Sequence, residues 1–234
     1  MSPAVEPLPL SSLSDLELAT RIARGDRGAF TTVMRRHNRL LFRTARAILR
    51  DDADAEDAVQ DAYLKAYARI GTFAGDSRLS TWLVRIVVNE ALGRLRQRKR
   101  DQTVVPFSPS RERGASESEE DMAPGRPEET PENMTLRAEM RKLLERSIDE
   151  LPVDFRTDFI LREVEEMTVE ETALALEIPS STVRTRLFRA KSLLRESLAR
   201  EMELNLDALF EFAGARCDRI VDNVLKKLGS GATS

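Results

Sequence analysis

The sequence predicts an all-α protein with two small helical domains, a flexible acidic linker between them and a helical C-terminal extension. Three observations support this fold class. Apolar residues recur at helical spacing through most of the 234-residue chain. A stretch rich in proline, serine and glutamate separates two such regions. Residues 168–200 have the pattern of a helix-turn-helix, because Pro179 must end one amphipathic segment before a second begins.

The composition limits the classes of protein to which the chain can belong. Charged residues make up 33% and aromatic residues 5%, which is typical of helices with solvated faces. The net charge of −3 argues against a uniformly basic protein, although local basic patches remain compatible with it. A single cysteine excludes an internal disulfide and a cysteine zinc site. We find no apolar run of membrane-spanning length and no signal-peptide pattern, so we expect a cytoplasmic protein without membrane insertion.

The first 50 residues predict a disordered start and two helices. Residues 1–13 are rich in proline and serine, and the first helix follows a cap at Ser14 and ends at Gly25. The second helix spans about residues 28–50. His37 lies on its apolar stripe, so we expect a packed side chain rather than a catalytic base or metal ligand. Another face of this helix carries a basic stripe: Arg39, Arg43, Arg46 and Arg50. We expect these side chains to be solvated, or to pair with the acids that follow, rather than to contact DNA.

Residues 51–71 predict a third helix with an acidic face. Acids at a helix N-terminus are favoured by the helix dipole, which is the simplest interpretation. The sequence does not match the 12-residue calcium-binding loop. Counted from Asp52, position six is Asp57 instead of glycine and position twelve is Tyr63 instead of glutamate. A polar face that docks a protein partner is the third interpretation. The residues alone leave the first and the third open.

Residues 71–100 predict a loop and a basic helix. The loop, residues 71–81, contains two glycines and Phe73, which we expect at the surface. Residues 85–100 then hold six Arg or Lys against one acid. This pattern suits single-stranded DNA, because cations follow phosphates and an aromatic or apolar pocket accepts an unstacked base. The alternative is a basic helix end favoured by its own dipole, with Trp82 in the core.

The second half of the chain predicts a linker, a helical module and a tail. Residues 101–134 contain nine acids and three arginines, and too few apolar residues to order themselves. In residues 135–200, three helices precede a fourth that we interpret as a recognition helix. The first turn of a recognition helix is the part that contacts base edges in the major groove. We expect Met140 and Leu144 to face the core of this module. The alternative is a charged helical hairpin that contacts no nucleic acid.

The tail, residues 201–234, has amphipathic spacing, with Cys217 on its apolar face. It either packs on the helix-turn-helix module or binds a regulator. The residues do not distinguish these two roles.

Two modules on a tether, one suited to single-stranded and one to duplex DNA, resemble the extracytoplasmic-function (ECF, group 4) sigma factors of the sigma-70 family. The resemblance covers about residues 15–100 and 135–200. Three stretches carry it: DAEDAVQDAYLKAY (54–67), FAGDSRLSTWLVRIVVNEALGRLR (73–96) and LPVDFRTDFILREVEEMTVEETALALEIPSSTVRTRLFRAKSLLRESL (151–198). The turn EIPSSTV lacks a glycine that the family often has, and the tail exceeds the minimal family pattern.

The resemblance implies a region 2 domain at residues 14–100 and a region 4 domain at residues 135–200. One set of residues then docks on the clamp of the polymerase β′ subunit: Asp54, Asp57, Gln60 and Asp61. A second set melts and binds the −10 promoter element: Phe73, Ser77, Arg78, Trp82, Arg85, Asn89 and Arg96. A third set contacts the −35 element: Ser181, Thr182, Arg184, Thr185, Arg186, Arg189 and Lys191.

The implied function is that of an alternative-sigma transcription initiation factor. Its implied partners are core RNA polymerase (β′ clamp and β flap), promoter DNA in duplex and single-stranded form, and an anti-sigma factor. No cofactor, metal or catalytic residue is implied. The main alternative is a stand-alone helix-turn-helix regulator. An enzyme such as a nuclease is disfavoured by the single histidine, the single cysteine and the lack of a glycine-rich phosphate loop.

Overall fold

The structure, a computed structural model, describes residues 10–104, 131–209 and 219. All regular secondary structure in these residues is helical, which confirms the predicted fold class. The α-helices are α1 (Asp15–Ala23), α2 (Arg27–Leu49), α3 (Asp52–Arg69), α4 (Leu79–Val104), α5 (Pro131–Glu150), α6 (Val153–Phe159), α7 (Val169–Leu176) and α8 (Ser180–Leu209). Short 3₁₀ turns lie at Leu10–Ser12 and Ile70–Thr72, and a π-helical turn at Ile160–Val164 continues α6.

Several sequence predictions fall outside the described residues. They concern the disordered N-terminus up to residue 9, the linker at residues 105–130 and most of the C-terminal extension, including Cys217. The helix after the linker begins at Pro131, before the predicted linker end at residue 134. Proline is well tolerated there, because the first helical residue needs no backbone N–H donor. The chain forms two compact units, Met1–Leu194 and Arg195–Ser234, and α1 to α7 all belong to the first.

Helix α2 is the centre of the first unit and packs against α1, α3, α4 and α6. Its apolar stripe places Val33, Leu41 and Ile48 in the core, where they are fully buried. His37 lies on the same stripe and is buried, as predicted. Burial lowers the pKa of His37, because the charged imidazolium is poorly solvated there. The histidine is therefore a neutral core residue at physiological pH.

Two capping boxes fix the starts of α1 and α7. The hydroxyl of Ser14 accepts from the N–H of Glu17, whose carboxylate accepts the N–H of Ser14 in return, which confirms the predicted cap. Thr168 and Glu171 form the same reciprocal pair at the start of α7. The signature Thr-x-x-Glu is present in the sequence, so this cap was also predictable.

Residues of the predicted second domain enter the same core. Leu161, Met167 and Ala175 are buried in the cluster that contains the α2 and α4 side chains. The expectation for α5 is wrong at two positions, since Met140 is 51% and Leu144 is 40% exposed. Among the described side chains of α5, the last turn contributes to a core cluster through Ile148. Helical periodicity shows which face of a helix is apolar, but not which of its turns has a neighbour.

A buried arginine ties α6 to the end of α2. The Arg156 guanidinium donates to the carbonyl of Ala47, and to the carbonyls of Asp149 at 2.6 Å and Leu151 at 3.0 Å. Arg46 of α2 reinforces this contact through an ion pair with Asp149 at 2.9 Å. Burial lowers the pKa of Arg156 to about 10, so the side chain stays charged at neutral pH. The ends of α2, α5 and α6 are therefore joined by charge-assisted hydrogen bonds.

Candidate nucleic-acid and polymerase interfaces

The acidic face of α3 packs beside the basic end of α4. Asp54 pairs with Arg98, and Asp61 pairs with Arg94, which also lies 4.0 Å from Asp57. The Asp57 side chain nevertheless stays 63% exposed. This face therefore carries acids that are partly balanced by α4 and partly open to a partner.

Two further side chains complete the exposed face of α3. Gln60 is exposed, as a docking residue must be. Leu64 is 70% exposed and lies one helical turn beyond Gln60 and Asp61. The sequence analysis missed Leu64. Its position outside the apolar stripe of α3 was the signal that could have found it.

The loop before α4 brings two aromatic residues together. The rings of Phe73 and Trp82 lie with their centroids 5.7 Å apart and their planes at 56°. Both are partly buried against the core, so Phe73 is less exposed than its loop position suggested. Ser77, which follows in the loop, is also partly buried. The aromatic pair thus forms a supported apolar surface at the start of α4.

The predicted −10 residues of α4 lie along one stripe. Arg85, Asn89 and Arg96 follow at spacings of four and seven residues, which places them on one face of α4, and Arg78 immediately precedes its first residue, Leu79. All four are exposed. Such a line of cations and one amide is able to follow the phosphates of a nucleic-acid strand.

Two of these arginines face acids of the helix-turn-helix. The Arg78 Nε lies 3.0 Å from Oε1 of Glu171 on α7, and Arg85 pairs with Glu177 in the turn after α7. Glu177 has a left-handed backbone with φ +57°, and its N–H donates to the carbonyl of Ala173 as the C-cap of α7. The turn that separates α7 from α8 therefore also places a carboxylate beside α4.

The first turns of α8 form one wall of a groove. The groove has a volume of about 330 Å³ and is lined by Phe155, Ser181, Thr182, Thr185, Arg186 and Arg189. Helix α8 begins at Ser180, and the carbonyl of Pro179 accepts from the N–H groups of Thr182 and Val183. Five of the seven predicted −35 residues are thus gathered at one surface.

Most cations of the predicted −35 face are paired within the helix-turn-helix region. Arg184 lies 3.5 Å from Glu170, and Lys191 lies 2.9 Å from Glu163. Arg186 pairs with Asp154 of α6 at 3.0 Å and is largely covered. Among the described residues, Arg189 is an exposed cation of this face that makes no ion pair.

An exposed aromatic side chain on α8 was missed by the sequence analysis. Phe188 is 70% exposed, although its neighbours Leu187 and Ala190 turn towards the protein. It lies between Arg184 and Lys191 along the helix, on the side that carries the cations. An apolar side chain there can contact a thymine methyl group in the major groove.

Comparison with known families identifies both halves of the chain. The profile of Sigma-70 region 2 matches residues 33–101, and that of Sigma-70, region 4 matches residues 141–194. The RNA polymerase sigma-H factor of Pseudomonas aeruginosa is 34% identical over 189 residues, which cover 81% of this chain and 96% of that protein. The ECF RNA polymerase sigma-E factor of Escherichia coli is 36% identical over 182 residues, covering 76% and 91%.

Solved structures show the same fold. CnrH, in complex with the cytosolic domain of CnrY, matches with a TM-score of 0.55 at 22% identity, covering 80% of this chain and 97% of that one. The sigma factor RpoE in complex with the anti-sigma factor NepR from Bartonella quintana matches with a TM-score of 0.54 at 24% identity, covering 73% and 96%.

These matches define a sigma-70 family protein with regions 2 and 4. The chain belongs to the extracytoplasmic-function sigma factors of RNA polymerase. Within the described residues, no helix is both long and apolar enough to cross a membrane.

Proposed function

We propose that this protein is an alternative sigma factor that binds core RNA polymerase in the cytoplasm and directs it to promoters without itself being an enzyme. The observation that carries this function is the presence of regions 2 and 4 in order, each with a helix that presents exposed cations. Residues 14–100 act at the −10 element and residues 135–200 at the −35 element. Tethering both to one polymerase raises the effective concentration of the second contact.

The stripe on α4 is proposed to bind the −10 element as a single strand. Its cations follow the phosphates, while the Phe73–Trp82 surface supports an unstacked base. A base bound only when unstacked favours the melted promoter over the duplex. The proposed role of this surface is therefore melting as well as recognition.

The start of α8 is proposed to bind the −35 element as a duplex. The exposed hydroxyls and cations at the groove can donate to base edges and phosphates in the major groove. Phe188 adds an apolar contact on the same side of the helix. Further contacts of region 4 with the β flap of the polymerase are implied by the family.

The exposed face of α3 is proposed to dock on the β′ clamp. Asp57, Gln60 and Asp61 supply charge and hydrogen bonds, and Leu64 supplies apolar area. A mixed polar and apolar patch of this kind is typical of a protein interface.

DNA binding by both surfaces requires α4 and α7 to separate. The −10 and −35 elements lie about 25 base pairs apart, which is roughly 85 Å at about 3.4 Å per base pair. Arg78 and Glu171 are ion-paired here at 3.0 Å. The 26 residues between Val104 and Pro131 can span up to about 90 Å when extended. We propose that core polymerase separates the two regions and that an anti-sigma factor opposes this.

In vitro transcription on a pooled promoter library tests the function. We expect start sites that appear only when the protein is added to core polymerase, with enriched sequences at −10 and −35. Duplex binding by the protein alone, with no stimulation of core polymerase, would instead identify a stand-alone helix-turn-helix regulator.

A further inference from the structure

We infer that Asp158 is a positioning residue for the recognition helix, and that its carboxyl group takes up a proton when the −35 duplex binds. This inference rests on the proposed contact between α8 and duplex DNA. It goes further by assigning a role to a buried acid that none of the proposed contacts uses.

The surroundings of Asp158 are unusual for a carboxylate. The residue lies on α6 beneath α8 and is 0% exposed. Both carboxyl oxygens are buried, and neither accepts a hydrogen bond from any described residue. The paired cation, Nη1 of Arg186, lies 4.0 Å from Oδ1, which is too far for a hydrogen bond. A buried carboxylate without hydrogen bonds strongly favours its neutral form.

Burial and the two nearest charges act on the pKa of Asp158. Burial raises its pKa to about 7, the positive charge of Arg186 opposes this rise, and the negative charge of Asp154 adds to it. On α2, which also packs against α6, the cations Arg46 and Arg50 act on Arg156. Arg186 of α8 and Asp154 of α6 are the charged groups that act on the pKa of Asp158, and Arg162 lies one helical turn beyond it in the π-helical turn that continues α6.

Arg186 connects the buried acid to the DNA surface. Its Nη2 lies 3.0 Å from Asp154, and its Nη1 lies on the side of Asp158, so two aspartates one helical turn apart hold one guanidinium. The same arginine lines the groove together with Ser181, Thr182 and Arg189. When Asp158 is ionised, a second negative charge draws Arg186 inward and reduces the attraction of this surface for phosphate.

Binding and protonation are therefore coupled. Phosphates brought into the groove add negative potential, which raises the pKa of Asp158 further and favours its protonated form. A site that takes up a proton on binding loses affinity as the pH rises through its pKa. Since one carboxyl group takes up one proton, the affinity for DNA changes by at most about tenfold per pH unit.

The test measures promoter affinity of the holoenzyme between pH 6 and 8 at constant ionic strength. The promoter duplex is one selected in the transcription experiment, and the full-length chain is used with core polymerase. We expect the wild-type affinity to fall about three- to tenfold more over this range than that of Asp158→Asn. Asp154→Asn is the matched comparison, because it makes the same carboxyl-to-amide change on α6 and keeps the Asp158 carboxyl. Its affinity should still fall with rising pH, with the fall displaced to lower pH because the negative charge that raises the pKa of Asp158 is lost.

The possible results separate this inference from the proposed function. Start-site selection together with equal pH profiles for wild type and Asp158→Asn would overturn the role of Asp158 alone. Failure of the wild-type protein to select start sites would overturn the proposed function at any pH. Asp158→Leu also lacks a titratable group, and it should match Asp158→Asn in its pH profile. Thermal unfolding at pH 8 verifies that each variant is folded.

Discussion

Ion pairs join two proposed −10 arginines, Arg78 and Arg85, to acids of the helix-turn-helix. The double substitution Glu171→Gln with Glu177→Gln removes the acidic partners of Arg78 and Arg85. Glutamine at position 171 can still accept the N–H of Thr168, so the capping box at the start of α7 is preserved. The change therefore weakens the contact between α4 and α7 without removing the helix cap.

The expected size of the effect follows from the exposure of the pairs. The Arg78 side chain is 74% exposed and that of Arg85 is 49% exposed, so solvent screens both interactions. Such pairs are worth about 0.2–1 kcal/mol each. Together they contribute about 1 kcal/mol, which corresponds to about a fivefold shift towards separated regions. Arg156 and the buried Met167 still hold the two regions together in this variant.

The assay is fluorescence anisotropy of a single-stranded −10 oligonucleotide titrated with the full-length protein. We expect the double variant to bind about three- to tenfold more tightly than the wild type. The matched control is Glu163→Gln with Glu170→Gln, which loses the same charge but breaks pairs with Lys191 and Arg184 of α8 instead. Its gain should be less than about twofold, since the cations that it frees belong to α8 and not to the proposed −10 surface.

Two outcomes would refute this reasoning. An equal gain in both double variants would show that net charge, not access to the arginines, controls binding. No gain in the Glu171→Gln, Glu177→Gln variant would show that Arg78 and Arg85 are already accessible in the free chain.

Four further predictions concern single residues. Arg156→Met should reduce the free energy of unfolding by about 3 kcal/mol, because three carbonyls lose a charged donor. Denaturant unfolding measures this free energy, and a variant as stable as the wild type would exclude an anchoring role for Arg156. The pKa of Asp158 is raised, so the folded chain binds the proton of this carboxyl more tightly than the unfolded chain does. Ionisation of Asp158 therefore destabilises the fold increasingly as the pH rises from the ordinary pKa of 3.8 to about 7. Asp158→Asn should therefore gain stability over the wild type across this window, reaching roughly 2–4 kcal/mol and then levelling off; a gain independent of pH would contradict the assignment. Phe188→Ala should weaken −35 duplex binding about fivefold in an electrophoretic mobility shift, with stability changed by less than about 0.5 kcal/mol because the ring is exposed; unfolding of the variant would point to a core role instead. Leu64→Ala should weaken binding to core polymerase about fivefold, whereas the same change at Leu16, another exposed leucine on α1, should not. Equal effects of the two substitutions would remove Leu64 from the docking face.

Much of the fold was predictable because its signals are local. A serine followed by a glutamate three residues later predicts the start of α1, and the capping box at Ser14 is present. Pro179 predicts the break between α7 and α8, which the structure places at residues 177–179. The apolar stripe of α2 predicts its buried residues, including His37. In each case the determining residues lie within a few turns of the chain.

The remaining features depend on residues that are distant in sequence. The apolar residues Met140 and Leu144 satisfy helical periodicity, yet they are exposed because the middle of α5 is not covered by the described core. The partners of Arg78 and Arg85 belong to another region of the chain, so neither ion pair could be predicted from local spacing. The same limit applies to Asp158, which is an ordinary polar residue in the sequence and a buried acid in the fold.

The predicted site residues are brought together to different degrees. The α4 stripe and the start of α8 each follow from helical spacing, which the sequence contains in full. Their roles in DNA and polymerase binding stay predictions that the experiments above test. Leu64 and Phe188 could have been found, because each is an apolar residue placed off the buried stripe of its helix.

The two proposed DNA surfaces differ in which part of the chain supplies the acids that pair with their cations. The acids that pair with Arg78, just before α4, and with Arg85 on α4 come from the helix-turn-helix, so separating the two regions removes them. On α8, the acids that pair with Arg184, Arg186 and Lys191 come from α7, α6 and the π-helical turn. These pairs stay in place when the regions separate, and only the DNA itself can compete with them. Binding at −10 should therefore depend strongly on core polymerase, while the intrinsic affinity for −35 duplex should change little.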